Sequence, residues 1–364
     1  MKKILVLSII SPDKEGRLKK TISLLTRNYN VILVCPKCDL KFLNCIHISI
    51  GNRRPIGIKE QIIFVYNAIR TLDLFRQHLE SIDALYVANV LSVPSSLFLI
   101  RKIGISKIIY DAYELFFTMR NKKIGIKNRI YIMLEKAIIK RADLIVEANY
   151  ERALLSQGYY QLEKLPALVS NFNYIVEDNN SNNTYKVLSK KRVVLGYIGY
   201  ISKERKLDNL ITEIAKDQSI ELHIYGGGND EIELRRMVEA SKIKNIYFHG
   251  EYNIDELESI LSGIDIGYIN YPYHNYNNMY CEPNKIYEYS ANRVPMVSYV
   301  HPKLERIFND NGIGIADDSI VHAISIIRSN YSDYVEACHK FYFLQKELNY
   351  REEQEFIAAI ENVI

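Results

Sequence analysis

Short β-rich apolar runs alternate with helix-length amphipathic stretches twice over in this 364-residue chain, and that double alternation most limits the folds open to it. In the first round ILVLSII, VILVC, CIHISI, ALYVAN, KIIYDA and DLIVEA have the composition of buried strands. Among them LKKTISLLTR, EQIIFVYNAIRTLDLFRQHLE and NRIYIMLEKAIIKR repeat apolar residues at helical spacing. From Glu177 to Lys191 the text becomes EDNNSNNTYKVLSKK, polar and without apolar period. Alternation then restarts with VVLGYIGYI, IELHIYGGG, NIYFHG, DIGYIN, PMVSYV and GIGIA, and the chain closes on the amphipathic segment REEQEFIAAIENVI.

Parallel strands need a crossover to return to the same edge, so each round implies a doubly wound α/β sheet with helices on both faces. The expected organisation is a Rossmann-like domain over residues 1–177, a linker over 178–191, a second Rossmann-like domain over 192–349, and a helix over 350–364 that packs back on the first domain. Ligands of such sheets bind outside the carboxyl ends of the strands, which places the expected site in a cleft between the two domains.

Composition removes several classes. No stretch approaches the roughly 18 uninterrupted apolar residues of a membrane span, and MKKILVLSIISPDKEG meets Pro and acidic residues before any small-residue cleavage site. Five cysteines, an odd number, fit a reducing cytoplasm. Cys35 and Cys38 form a CxxC that no second ligand pair completes, so they read as buried or indifferent thiols. The net charge is +4, but residues 1–180 hold 27 basic against 16 acidic side chains. The densest basic piece is RNKKIGIKNRIYIMLEKAIIKR, residues 120–141, with an apolar stripe at helical spacing. It is either an anionic-membrane surface or a solvated basic helix face. Nucleic acid is not an expected partner.

The residues able to do chemistry cluster in the second round. No G-x-G-x-x-G follows either first strand, which leaves hydride transfer on a dinucleotide a minor option. Gly199 and Tyr200 open a loop running to Arg205 and Lys206, two cations able to neutralise a diphosphate. Gly226, Gly227 and Gly228 form a turn leading into a helix that begins near Asp230. Three glycines at a strand end are either a phosphate cradle or strand-to-helix punctuation. Tyr252, in HGEY, lies where backbone groups could meet a base edge. The most informative segment is EPNKIYEYSANRVPMVS, from Glu282 to Ser298. Pro283 fits the first position of a helix, where no N–H is needed, and Asn284 follows it. Lys285 and Glu288 then lie one turn apart on one face, the lysine beside first-turn N–H groups that suit an anion. The alternative is an amphipathic helix with a surface Lys–Glu pair. Asn292 reads as the helix terminator and Pro295–Ser298 as a short buried strand.

In this order the features resemble the GT-B-fold glycosyltransferases of family 4, from about Lys3 to Ser298 and most specifically in the second domain. The resemblance implies transfer of a sugar from a UDP- or GDP-linked donor with retention of configuration and without a required cofactor or metal, and no Asp-x-Asp pair is present to hold one. By resemblance Lys206 and Lys285 hold the donor diphosphate, Glu288 the ribose hydroxyls, and Gly226 to Gly228 the nucleotide side. In the first domain Asp13, Gly16 and Arg17 resemble the acceptor-side loop, and Asp111, Tyr113 and Glu114 the family's YDxHEL segment. Three phenols depart from the pattern. Tyr280 stands where the family has Glu, with Glu282 the nearest carboxylate; Tyr200 replaces Arg, and Tyr113 replaces His.

A retaining transfer of this kind needs no protein nucleophile. The acceptor hydroxyl attacks the face the diphosphate leaves, and preorganised lysines and helix N–H groups stabilise the growing charge. The resemblance and the basic helix imply a lipid-linked saccharide acceptor in bacterial surface polysaccharide assembly, on the cytoplasmic face of the membrane. The alternatives are a non-transferring nucleotide-sugar epimerase on the same scaffold, or a non-catalytic nucleotide-binding partner of another transferase.

Overall fold

The computed structural model describes residues 1–52, 58–74, 82–118, 126–172, 188, 192–253, 256–274, 276–281 and 283–364. The chain divides into two units: Met1–Asn173 with Tyr280–Glu282 and Leu348–Ile364, and Tyr174–Met279 with Pro283–Glu347. The expected linker, Leu188 apart, falls outside the described residues, as do Glu282 and residues 120–125 of the basic segment.

The first unit is built on seven strands: β1 Lys3–Leu7, β2 Asn30–Cys35, β3 Cys45–Ser49, β4 Ala84–Ala88, β5 Ile108–Asp111, β6 Leu144–Glu147 and β7 Ala167–Leu168. Their spatial order is β3-β2-β1-β4-β5-β6-β7 with every pairing parallel. Alternate residues feed opposite cores. Leu5, Leu7, Val34, Leu85 and Val87 join one cluster, while Ile4, Val6, Leu33, Ala84 and Tyr86 join the other. Burial on both faces is why these strands read as continuous apolar runs rather than as alternating ones. The first six are the expected strands. β7 lies in LPALVS, where two paired residues give too short a run to register as a period.

The second unit carries β8 Val193–Ile198, β9 Ile220–Tyr225, β10 Ile246–Gly250, β11 Ile266–Tyr268, β12 Met296–Ser298 and β13 Gly314–Ala316. The order β10-β9-β8-β11-β12-β13 is again parallel throughout. Strand order reverses between β8 and β11, and in doubly wound sheets the crevice at that reversal is where ligands settle. The loops that leave β8 and β11 are therefore the ones to inspect.

The last helix, Tyr331–Val363, is a single 33-residue element. Its distal half belongs to the first unit, where Phe356 and Ile360 complete the core beneath Ile4 and Val6. Lys20 fastens it, with its ammonium 2.5 Å from Asn349 Oδ1, 3.0 Å from the Ser170 carbonyl and 3.5 Å from Glu353. Among the described residues no helix is long and apolar enough to cross a membrane. All five cysteines are free thiols, and burial pushes Cys38 and Cys45 up to about 11.

Candidate functional site

The glycines after β8 and β9 do more than punctuate. Gly199 has φ +150 and Gly226 φ +123, both in the region that side chains avoid. A Cβ on Gly226 would lie 2.0 Å from the Gly199 carbonyl oxygen, and one on Gly228 2.1 Å from the Ile201 carbonyl oxygen. Backbone hydrogen bonds lock the two loops: Gly199 N–H donates to Tyr225 O at 3.0 Å, Ile201 N–H to Gly227 O at 3.0 Å, and Gly226 N–H to Gly250 O at 2.7 Å. The three glycines thus seat one loop against another. Loop-to-loop packing accounts for Gly226 and Gly228 with no phosphate present.

That lock presents Arg205 and Lys206 at the sheet reversal. The Tyr268 hydroxyl donates to the Arg205 carbonyl at 2.8 Å, and Arg205 Nη1 donates to the Asn270 carbonyl at 3.2 Å. The guanidinium also stacks 4.1 Å above Tyr271. Lys206 adopts φ +53, an uncommon conformation for a non-glycine residue, and its ammonium rests 5.1 Å from the centre of the Tyr299 ring. Tyr200 is exposed, with its carbonyl held by the Tyr197 hydroxyl at 2.6 Å.

Helix Asn284–Ala291 begins one residue later than the sequence suggests. Pro283 has φ −81 and ψ 111, an extended conformation, so it caps the helix instead of occupying its first turn. Asn292 closes the helix, and β12 follows at Met296. Tyr289 sets the height of the helix over the sheet: its buried hydroxyl donates to the Gly196 carbonyl at 3.0 Å, and its ring fills the space a Cβ on Gly267 would need, 2.8 Å away. Any larger residue at position 267 would lift the helix. On the far side Lys285 and Glu288 form an ion pair with each other. Their side chains are 19% and 13% exposed, so the pair is partly covered. Lys285 also lies 3.3 Å from the Tyr252 hydroxyl. Burial works against the lysine's charge, but the Glu288 carboxylate and the Tyr252 oxygen outweigh it and raise its pKa. The two predicted donor residues therefore hold one another.

In the first unit the predicted acceptor-side residues separate into two groups. Arg17 and Asp111 are buried and paired, with Nη2 to Oδ1 2.6 Å and Nε to Oδ1 3.0 Å; the Tyr86 hydroxyl takes the other carboxylate oxygen at 2.6 Å. Arg17 also donates to the Val169 carbonyl. The charges of this pair answer each other, so their first role is to fix the start of helix Gly16–Asn28, which follows the loop after β1, to the end of β5. Tyr113 stacks over Arg17 at 5.4 Å and keeps a buried hydroxyl without a partner among the described residues. Burial, then the Asp111 charge, push that phenol well above its ordinary pKa, so it is a neutral donor. Asp13 and Gly16 are exposed at the start of helix Gly16–Asn28, and Glu114 sits 4.0 Å from Arg152. The Tyr280 carbonyl accepts from Asn149 and Arg152, both at 3.1 Å.

Residues 192–330 match the family model described as glycosyl transferases group 1. The match covers less than half of the chain and marks it as a glycosyltransferase. Lys206, Lys285, Glu288 and all three strand-end glycines lie inside the matched range. A search of curated proteins returns no match. Among solved structures the glycosyltransferase is similar to HepE of Anabaena in complex with UDP and glucose, at 13% identity over 100% of both chains and a TM-score of 0.69. It is also similar to sucrose-phosphate synthase from Thermosynechococcus elongatus (16% identity, 98% of this chain and 100% of that one, TM-score 0.66). A third is the lipopolysaccharide outer core galactosyltransferase WaaB in its apo form (14% identity, 100% of both chains, TM-score 0.62). At these identities the likeness is one of fold, and the fold is GT-B, two Rossmann-like domains in one chain.

Two residues of the glycosyltransferase domain escaped sequence reasoning. Asn270 and His301, just beyond β11 and β12, are 3% and 1% exposed, and each keeps a buried side-chain nitrogen without a hydrogen-bond partner among the described residues. A signal existed for one of them: His301 precedes Pro302, the first residue of helix Pro302–Asn311, which marks it as a capping position.

Proposed function

We propose that this glycosyltransferase moves a sugar from a nucleoside diphosphate sugar to a saccharide acceptor with retention of anomeric configuration. The observation that carries the reading is Lys206. It is held at the strand-order reversal by a locked loop, and no carboxylate pairs with it among the described residues. Lys206 and Lys285 then bind the diphosphate and stabilise the charge that builds on it as the glycosidic bond breaks. Glu288 leaves Lys285 and takes the ribose hydroxyls. The leaving diphosphate oxygen accepts the proton of the attacking hydroxyl, so the protein supplies binding, orientation and electrostatics. Asp13, Tyr113 and Glu114 serve the acceptor side, with Arg17 and Asp111 as the rigid support of that loop.

The acceptor is a lipid-linked saccharide of bacterial surface polysaccharide assembly, met at the cytoplasmic face of the membrane. Support comes from helix Ile126–Ile139, whose exposed residues Arg129, Ile130, Met133 and Lys136 continue to Lys140 and Arg141. Apolar and basic side chains interleaved on one exposed face suit anionic headgroups. The likeness to WaaB agrees with that pathway.

A thermal-shift panel of UDP- and GDP-sugars tests the donor. A ligand that binds only the native state at a hundred times its Kd adds about 2.7 kcal/mol of stability. One base and one sugar class should raise the melting temperature above the rest; a flat panel removes the donor reading. The anomeric configuration of the product, read by NMR from the matching donor, decides retention.

A further inference from the structure

Beyond the ends of β11 and β12 the second unit holds two buried hydrogen-bond donors without a partner among the described residues. Tyr268 of β11 pairs with Val297 of β12, and the Tyr268 and Tyr299 rings meet at 6.1 Å on one face of the sheet. Lys206 rests on Tyr299 and Arg205 holds the Asn270 carbonyl, so one short loop touches both strand ends. His301 follows two residues after Tyr299, its ring edge-on to Tyr273 at 5.5 Å.

The protonation of His301 follows from its contacts. Nδ1 accepts the backbone N–H groups of Lys303 at 3.2 Å and Leu304 at 3.3 Å, capping helix Pro302–Asn311. A nitrogen that accepts carries no proton, so the single proton of the neutral ring sits on Nε2. Burial pushes the pKa down to about 4, which keeps the ring neutral at physiological pH. Nε2–H is thus a fixed donor, and among the described residues it is buried without a partner, as is the side-chain amide nitrogen of Asn270. Each such group costs about 1–3 kcal/mol while unpaired. Two costs of that size, near enough to the Lys206 ammonium for its charge to act on His301, mark a place suited to a hydrogen-bond acceptor. The three nitrogens, His301 Nε2, Asn270 Nδ2 and Lys206 Nζ, all donate. An anionic oxygen matches all three.

We propose that His301 Nε2–H and the Asn270 amide join Lys206 in binding a phosphate oxygen of the donor's diphosphate. The assignment rests on the nucleotide-sugar reading given above. A phosphate could also come from a source other than a nucleotide, so the test uses UDP, GDP and inorganic pyrophosphate, each titrated calorimetrically into the full-length protein. His301→Asn keeps an N-cap acceptor for helix Pro302–Asn311 and removes the Nε2 donor. Asn270→Ala removes the second orphan. Both variants should bind UDP or GDP about ten- to a hundredfold more weakly than wild type, the loss for a hydrogen bond to a charged group. Neither should melt earlier than wild type without ligand. Nucleotide affinities within twofold of wild type in both variants overturn the assignment alone. So does a loss confined to pyrophosphate, or one matched by a drop in melting temperature. Failure of wild type to bind UDP and GDP at all overturns the donor reading on which it rests.

Discussion

Gly226 sits so close to Gly199 that a single added methyl would lie 2.0 Å from the Gly199 carbonyl oxygen. The contact joins the loop after β9 to the loop that carries Lys206, so the position of the cation depends on a glycine twenty residues away. Gly226→Ala should destabilise the second unit by about 3 kcal/mol or more, from φ strain and backbone overlap together. Gly158, inside helix Tyr150–Tyr160 with nothing within 4 Å of an added Cβ, is the control: Gly158→Ala should be neutral or stabilising. Urea unfolding followed by circular dichroism separates the two. Equal effects would mean that the glycine contact carries no weight.

Lys285 and Glu288 hold one another, and on the proposed donor reading a nucleotide sugar parts them. Lys285→Ala should weaken nucleotide-sugar binding about tenfold or more, as removal of a charge-assisted contact does. Donor affinity equal to that of wild type would remove Lys285 from the site. Glu288→Gln frees the lysine and removes a ribose acceptor at once. A double-mutant cycle measured on the nucleoside diphosphate and again on inorganic pyrophosphate tells these effects apart, because pyrophosphate has no ribose.

Tyr289→Phe deletes the hydrogen bond that ties helix Asn284–Ala291 to the Gly196 carbonyl. The buried bond should be worth about 1–2 kcal/mol. Because the ring still fills the space over Gly267, donor affinity should change less than stability does. A variant that keeps full stability would show that the ring alone seats the helix.

Two buried carboxyls of the first unit give its stability a pH dependence. Burial pushes Glu135 up to about 8 and Glu147 up to about 7. An unfolded Glu ionises near its ordinary value, so between that value and the raised one the unfolded chain has fewer bound protons than the folded one. Stability is therefore fully present in the acid range and falls as pH rises towards 8, by at most about 1.4 kcal/mol per pH unit for each group. Glu135→Gln keeps an acceptor for the Tyr110 or Tyr160 hydroxyl and cannot ionise. The variant should gain stability relative to wild type between pH 5 and pH 8. A difference that stays constant over that window would show that Glu135 does not titrate there.

Vesicle sedimentation addresses the basic face of helix Ile126–Ile139. The protein should sediment with phosphatidylglycerol vesicles at low salt and be released as ionic strength rises, because exposed charges act only within a Debye length. Lys136→Glu with Lys140→Glu should reduce binding, and phosphatidylcholine vesicles should retain little protein. Equal retention on both lipids would leave this face as ordinary solvated surface.

The apolar runs were legible because doubly wound sheets bury both faces of each strand, and twelve of the thirteen strands are stretches that stand out in the text. Helix Asn284–Ala291 was legible to within one residue, since Pro283 fits either the cap or the first turn and only ψ 111 decides. Partner choice was not. Spacing places Lys285 and Glu288 on one face but does not say that they will meet each other before a ligand, and nothing local marks Arg17 as the partner of Asp111, ninety-four residues on. The glycines left a cradle and a strand-to-helix turn both open, because sequence shows permitted backbone conformations and hides which loop comes close. Asn270 and His301 were illegible for a related reason: an unpaired donor is a property of its surroundings.

Helix Tyr331–Val363 also orders events during synthesis. The first unit's core lacks Phe356 and Ile360, and the Lys20 ammonium lacks Asn349 and Glu353, until the distal half of that helix has left the ribosome. The strands translated earliest are therefore the last to gain their full cover. A fragment ending near residue 172 should expose the apolar face of β1 and call on chaperones, and adding residues 331–364 as a separate peptide should quiet it.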